Sequence, residues 1–265
     1  MTTMALAPPR RGWLIVAGQE LRDLWLGGRG LALTLAYTLL LSATTYLVAT
    51  NSVLNFLEQR ESVNLTLQVA VAVGALLVLL TAADALSGER ERGSLESLLL
   101  APVERHDLLL GKGIAALSLW LAAFVVSMPY VWFLGRGVGL VGVALVGGFV
   151  VGGLLALFLA GLGLLVSSLA GSNRVSLSVS LFLLLAFFAP TQLPAGAQQG
   201  WAGDLFIRVD PFSAGLHYLG KVVVDGHGAG QDASWLISPA VAAVVAVLAA
   251  LGASRFLSLR GGGPS

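Results

Sequence analysis

Residues 62–83 read SVNLTLQVAVAVGALLVLLTAA, with Glu61 just before them and Asp84 just after. No charged side chain interrupts the run. A helix needs about 20 apolar residues to cross ~30 Å of hydrocarbon, so this stretch reads as a membrane span. The same test finds companions on both sides. Residues 30–50 follow Arg29, and residues 113–135 lie between Lys112 and Arg136. The charge-free window 137–173 is too long for one straight span and too short for two, so one long or tilted helix is expected over 140–167. Residues 175–189 form a shorter span that ends at Pro190, and 233–254 form the last, with Pro239 in its first turns. The expected fold is an all-α membrane protein, one transmembrane domain over residues 1–265 with six transmembrane helices.

Composition agrees. Of 265 residues, 57% are hydrophobic and 11% charged, where an average soluble domain carries roughly 25% charged residues. A soluble fold of this size has no place to hide so much apolar surface. The net charge of +1 gives no bulk case for nucleic-acid binding. Cysteine is absent, which excludes disulfides, a thiol nucleophile and a cysteine metal site. His106, His217 and His227 lie far apart, without metal-ligand spacing, and the last two read as solvated. Met1–Pro9 lacks the apolar core of a cleavable signal peptide, so the first hydrophobic helix is expected to remain as an anchor.

Lysine and arginine placement predicts the orientation. With six spans, Arg10, Arg11, Arg22, Arg29, Arg90, Arg92, Arg105, Lys112, Arg174, Arg255 and Arg260 share the side of both termini. Arg60, Arg136, Arg208 and Lys221 fall on the other side. Eleven against four places both termini in the cytoplasm.

Three polar segments carry the rest. Within residues 1–29, Trp13, Val16, Ala17, Leu21, Leu24 and Trp25 recur at helical spacing, while Gln19, Glu20, Arg22 and Asp23 face elsewhere. That pattern predicts an N-terminal amphipathic helix in the membrane interface; an ordinary juxtamembrane flank is the plainer reading. Residues 87–112 read SGERERGSLESLLLAPVERHDLLLGK. Leu95, Leu98 and Leu99 form an apolar set at i, i+3 and i+4, with Ser94 as N-cap and Ala101–Pro102 as the stop. A short leucine-faced helix between two spans suits docking of a cytoplasmic partner, or packing against the membrane or its own bundle. Residues 190–232 form the longest outer segment. Asp210–Pro211 reads as an N-cap with Pro at the first helical position. Phe212, Leu216, Leu219 and Val223 continue a helical stripe, which predicts a surface or partly re-entrant helix before the glycine-rich loop 225–230.

The ordered set Glu89, Glu91, Gly93, Ser94, Leu95, Glu96, Leu98, Leu99, Pro102, Leu109, Gly111 and Lys112 resembles the hallmark of ABC-2 type transporter permeases. In that family, acidic residues precede Gly-[Ser/Thr]-Leu-Glu, two leucines, a Pro and a downstream Gly-Lys. Gln19-Glu20-Leu21, with Arg29 following, is similar to the family's Lys-Glu-Leu N-terminal helix, although Gln19 stands where Lys is commoner. Asp210-Pro211-Phe212 resembles the Pro-containing outer helix before the last span.

The resemblance implies the membrane-spanning subunit of an ABC transporter. A second permease chain, identical or not, would complete the pathway, and ABC ATPase subunits docked beneath would bind ATP and Mg. No cofactor is implied in this chain. The loop between helices two and three would supply a cytoplasmic coupling helix. ATPase coupling would fall to Glu20, Glu89, Glu91, Gly93, Glu96 and Pro102, the acids pairing with basic residues of the ATPase and Gly93 and Pro102 setting the bends. The implied role is ATP-driven export of an unidentified substrate across a bacterial or archaeal cytoplasmic membrane. The alternative within the family is assembly or maturation of an extracytoplasmic protein, with an accessory protein docking on residues 190–232.

Other classes fit less well. An ion-coupled carrier needs ionisable groups inside the bilayer, and the spans above contain none; Asp84 is the nearest. Membrane-embedded catalysis finds no acid pair, histidine cluster or GxSxG motif. Gly111-Lys112-Gly113 lacks the rest of a Walker loop, so ATP hydrolysis is not expected here. Thr44, Thr45, Ser167 and Ser168 read as packing residues. Gly147, Gly148, Gly152, Gly153, Gly161 and Gly163 mark close helix contact, within the chain, at a dimer seam or along a pathway wall.

Overall fold

The computed structural model describes residues 12–50, 56–94, 103–192 and 200–254. The expected coupling helix, with Leu95, Glu96, Leu98, Leu99 and Pro102, lies outside them. So do Arg10, Arg11, Arg255 and Arg260.

Nine α-helices follow one another among the described residues, with no strand. They are α1 (Gly12–Leu26), α2 (Arg29–Thr50), α3 (Phe56–Glu91), α4 (Arg105–Gly135), α5 (Val141–Leu169), α6 (Asn173–Phe188), α7 (Trp201–Val209), α8 (Pro211–Val223) and α9 (Ile237–Ala253). One 3-10 turn extends α6 to Gln192 and another leads into α9 from Ala233. Six of these helices, α2 to α6 and α9, are long and apolar enough to cross a membrane. Each takes up most of one expected span, though α5 begins at Val141, α6 ends at Phe188 and α9 runs only from Ile237 to Ala253.

Two helices overrun their windows. The 36 residues of α3 reach about 54 Å at 1.5 Å per residue, beyond the ~40–45 Å of a whole bilayer. No Pro or Gly breaker stops α3 at Asp84, so the helix carries Asp84–Glu91 past the apolar run. It ends at Gly93, in the left-handed region at φ +72°. There the Ser94 N–H bonds the Glu89 carbonyl at 3.0 Å and the Gly93 N–H bonds the Arg90 carbonyl at 3.3 Å. This is a Schellman ending, which needs a residue that tolerates positive φ. Likewise α4 starts at Arg105, two turns before its window.

Centrally, α5 touches α3, α4, α6, α8 and α9. Its glycines explain why. A Cβ at Gly161 would lie 2.6 Å from the Ala246 carbonyl carbon of α9, and one at Gly163 would lie 3.0 Å from Ala83 N of α3. Backbones therefore meet directly, as small residues permit. At Gly152 the Trp120 ring fills the missing side chain's place. These contacts lie within the chain. Ser168 Oγ donates to the Leu165 carbonyl and Thr44 Oγ1 to the Leu40 carbonyl, each within its own helix. The richest spans of the core, α3 to α5, are 50–61% buried, against 17% for α2 and 11% for α6. The last two thus present most of their apolar surface outward.

At the end of the bundle opposite α1, the Asp210 carboxylate caps α8, accepting from Ser213 N at 2.6 Å, and Pro211 takes the first helical position. Phe212 is 1% exposed and Leu219 fully buried. Leu219 sits against Gly147, and Gly215 against Val151 and Leu155 of α5. Helix α8 therefore packs along α5 from Gly147 to Leu155. Residues 201–209 form a helix that was not foreseen, with Trp201, Leu205, Phe206 and Val209 exposed. His217 is not a solvated group: its ring lies 4.1 Å from the Trp235 ring and is half-buried. His227 does stay exposed, 2.7 Å from Asp232 Oδ2.

Candidate functional site

The conspicuous chemistry gathers at the α1 end. Helix α1 lies across the start of α4, and the sequence makes room at two glycines. A Cβ at Gly111 would stand 2.6 Å from Val16 Cγ1 and 2.9 Å from Ala17 N. A Cβ at Gly12 would stand 2.5 Å from Asp107 Oδ2. The carboxylate of Asp107 therefore faces the start of α1, where the helix dipole favours it. Ala17 and Leu24 bury their side chains, and Trp25 Nε1 donates to Ser118 Oγ of α4 at 3.0 Å. The apolar face predicted for α1 is thus used largely against α4, while Trp13, Leu14 and Ile15 remain exposed.

This approach places Glu20 of α1 against Lys112 of α4. The Lys112 ammonium donates to Glu20 Oε1 at 2.6 Å and to Glu89 Oε1 of α3 at 2.5 Å. Its side chain is only 1% exposed, that of Glu89 13%, and that of Glu20 25%. Three helices are tied through one buried cation. Charges are tolerated there because each has an opposite partner. The fit is incomplete: Glu89 Oε2 is buried without a hydrogen bond among the described residues.

A second polar cluster lies beside it. Arg29, at the start of α2, bonds the Asp84 carboxylate of α3. Asp84 Oδ1 accepts from Asn173 Nδ2 of α6 at 2.7 Å. Ser87 Oγ lies 3.0 Å from Asn173 Oδ1, and Ser176 Oγ donates to the Ala83 carbonyl at 2.7 Å. Ser167 Oγ of α5 accepts from the backbone of Leu86 and Ser87. Arg90 closes the group on the carbonyls of Ser168 and Ala170. A polar cavity of about 340 Å³ between α1, α3 and α4 carries Glu20, Asp84, Glu89, Arg29 and Lys112 on its walls.

Of the residues expected to couple to an ATPase, Glu20 and Glu89 meet at Lys112 inside the chain. Glu91 is exposed two residues further along α3, and Gly93 forms the helix ending described above. Glu96 and Pro102 lie outside the described residues. The sequence reading assigned no role to Lys112, Arg29, Asp84 or Asn173. Lys112 was visible as the final residue of the Gly-Lys pair, Arg29 as the basic residue after Gln19-Glu20-Leu21 and Asp84 as the ionisable group nearest a span; Asn173 carried no comparable signal. No group of histidines and acids able to hold a metal occurs among the described residues.

Fold and site together define a polytopic helical membrane protein with ion clusters at one end of its spans. The family model described as ABC-2 family transporter protein matches residues 14–259, and the chain belongs to that family. It is therefore a membrane component of an ABC transporter, a permease subunit that is not itself catalytic, and membership implies an ABC ATPase partner. No curated protein matches the chain.

Proposed function

We propose that the chain is the permease of an ATP-driven exporter and that the Glu20–Lys112–Glu89 cluster carries ATPase movement into the spans. The α1 end would face the cytoplasm of a bacterial or archaeal cell, as the excess of basic residues there suggests. A second permease chain would cover the apolar faces that α2 and α6 leave outward.

One observation carries this reading. Helix α3 hands the chain to residues 95–102 at Gly93, one turn beyond Glu89, and α4 receives it at Arg105, two turns before Lys112. Force applied to the intervening segment is delivered to both sides of the buried cation. From Lys112 it reaches α1 through Glu20. A partly unsatisfied ion cluster holds its geometry with little margin, which suits a joint that must shift. Glu20 and Glu89 then act within the chain, while Glu91, Glu96 and Pro102 would serve the contact with the ATPase.

The test uses the permease with its ATPase subunit in nanodiscs. Glu96→Ala is expected to insert and fold normally yet lower ATP turnover of the complex and retention of the ATPase. Wild-type turnover and wild-type retention together would remove Glu96 from the coupling surface.

A further inference from the structure

The far end of the bundle holds a cavity that the coupling role does not use. Its volume is about 500 Å³, within the range of small-molecule sites. One wall is α3, through Leu65, Gln68, Val69 and Ala72. The facing wall is α8, and Phe188, Thr191 and Gln192 at the end of α6 close a third side.

Depth sorts the lining. Leu65 to Ala72 lie three to ten residues inside the charge-free run that begins at Ser62, which is roughly 5–15 Å at 1.5 Å per residue. Val224 marks the surface, because its carbonyl accepts from Arg60 at 3.2 Å just before that run begins. The deep part is mostly apolar, with Val69, Ala72, Phe188 and Leu216 surrounding the single hydroxyl of Ser213. Toward the mouth stand Thr191, Gln192, His217 and Lys221, with Gln68 between. A molecule filling this space meets hydrocarbon at one end and hydrogen-bonding groups at the other.

Charge narrows its identity. Lys221 is neutralised by Asp225, 3.2 Å away on the same turn. Burial lowers the pKa of His217, and the neighbouring Lys221 lowers it further against weaker opposing pulls from Asp225, Asp232 and Asp204. At neutral pH the imidazole is uncharged. Among the described residues neither a free cation nor a free anion faces the cavity, whereas amide, hydroxyl and imidazole groups do. Hydroxyl- and amide-bearing headgroups match such a surface.

We infer that this cavity binds an uncharged amphiphile, its tail among Val69, Ala72, Phe188 and Leu216 and its hydroxyl- or amide-bearing head against Gln68, Thr191, Gln192 and His217. A leaflet lipid and the exported cargo could both have that chemistry. The site deepens the permease reading, on which it rests for its outward orientation alone.

A photoreactive dodecyl maltoside tests it, applied to the permease–ATPase complex in nanodiscs without nucleotide, with labelled peptides mapped by mass spectrometry. Labelling is expected on residues 65–72 and 213–224 and to be displaced by unlabelled dodecyl maltoside before dodecyltrimethylammonium or lauroyl sarcosinate. Ala72→Trp fills the floor and is expected to cut this labelling at least fivefold. Gln68→Leu with Thr191→Val, which leaves the volume almost unchanged, is expected to weaken competition by about tenfold, the loss of one to two hydrogen bonds. Labelling equally dense on the lipid-facing sides of α2 and α6, insensitivity to Ala72→Trp, or preferential displacement by either charged competitor would each overturn the assignment. Adding ATP and Mg separates the sources: cargo-like occupancy falls during turnover, and a resident lipid's does not. Labelling that ATP leaves unchanged identifies the occupant as a resident lipid and leaves the site standing, whereas absence of ATP turnover in the complex would count against the export reading alone.

Discussion

Replacing Lys112 with Met keeps the side chain's length and removes its charge. The ammonium it deletes is almost fully buried and holds two carboxylates, at 2.6 and 2.5 Å. Deleting one partner of a buried ion pair costs about 3–5 kcal/mol, because the remaining charge keeps its desolvation penalty and loses its compensation. Here Glu20 is 25% exposed and relaxes partly into water, so the lower figure, ~3 kcal/mol, applies. For a chain of this size that amounts to roughly 6–12 °C in melting temperature. Arg29→Met is the internal control. The Arg29 side chain is 48% exposed, and Asp84 keeps its bond from Asn173, so a loss of ~1 kcal/mol or less is expected. A triple variant, Lys112→Met with Glu20→Gln and Glu89→Gln, removes all three charges and is expected to recover most of the stability. Tryptophan-fluorescence melting in nanodiscs reads all three. A Lys112→Met protein melting within about 2 °C of wild type, or a triple variant no better than the single, would refute a buried triad. If the triad also transmits movement, the triple variant stays folded but loses ATP turnover in the complex.

Other tests probe neighbouring joints. Gly111→Ala would put a Cβ 2.9 Å from the Ala17 backbone, which cannot rotate away as a side chain can. Pushing α1 off α4 is expected to cost about 1–3 kcal/mol and to lower ATP turnover, and an unchanged melting curve would show that α1 is not seated there. Gly93→Ala forces a Cβ into φ +72° at about 1–2 kcal/mol, so protease cleavage between Arg92 and Glu104 is expected to rise while the spans stay protected. For His217 the sign follows from its lowered pKa: the unfolded chain takes up the proton first, so stability is full above the ordinary value of 6.5 and declines as pH falls below it. Melting from pH 7.5 to 5.5 is expected to show that decline, and His217→Phe, which keeps a ring on Trp235, to flatten it.

Hydropathy made the spans legible because a bilayer imposes one requirement on every crossing helix, and that requirement is local in sequence. The α5 glycines were legible as contact points, but the choice between α9, α3 and another chain depended on which helix lay opposite. For α7, nine residues give too short a period for a firm reading, so the segment before Asp210 carried no helical expectation. His217 was misread because the Trp235 ring that covers it lies beyond a glycine-rich turn, out of range of any local pattern.

Lys112 shows where reading a chain by windows stops working. A charge beside an apolar run marks the run's edge, and Lys112 was taken as such an edge, while Glu89 and Glu20 were expected to face the ATPase. Yet the same position on a helix can be wet or buried, depending on how far the neighbouring helices extend. Helix α3 extends past its apolar run until Gly93, and α1 lies down on Gly111, so the edge of α4 is enclosed on two sides. The partners that neutralise Lys112 are 92 and 23 positions away. The Gly-Lys pair therefore acts as a unit: the glycine admits α1, and the lysine binds what α1 brings. That dependence makes a sharp prediction for a double variant. Once Gly111→Ala has lifted α1 away, Glu20→Gln is expected to add almost nothing, although it destabilises the otherwise unaltered protein by leaving Lys112 with one acid; fully additive losses would mean that the glycine and the ion pair serve separate ends.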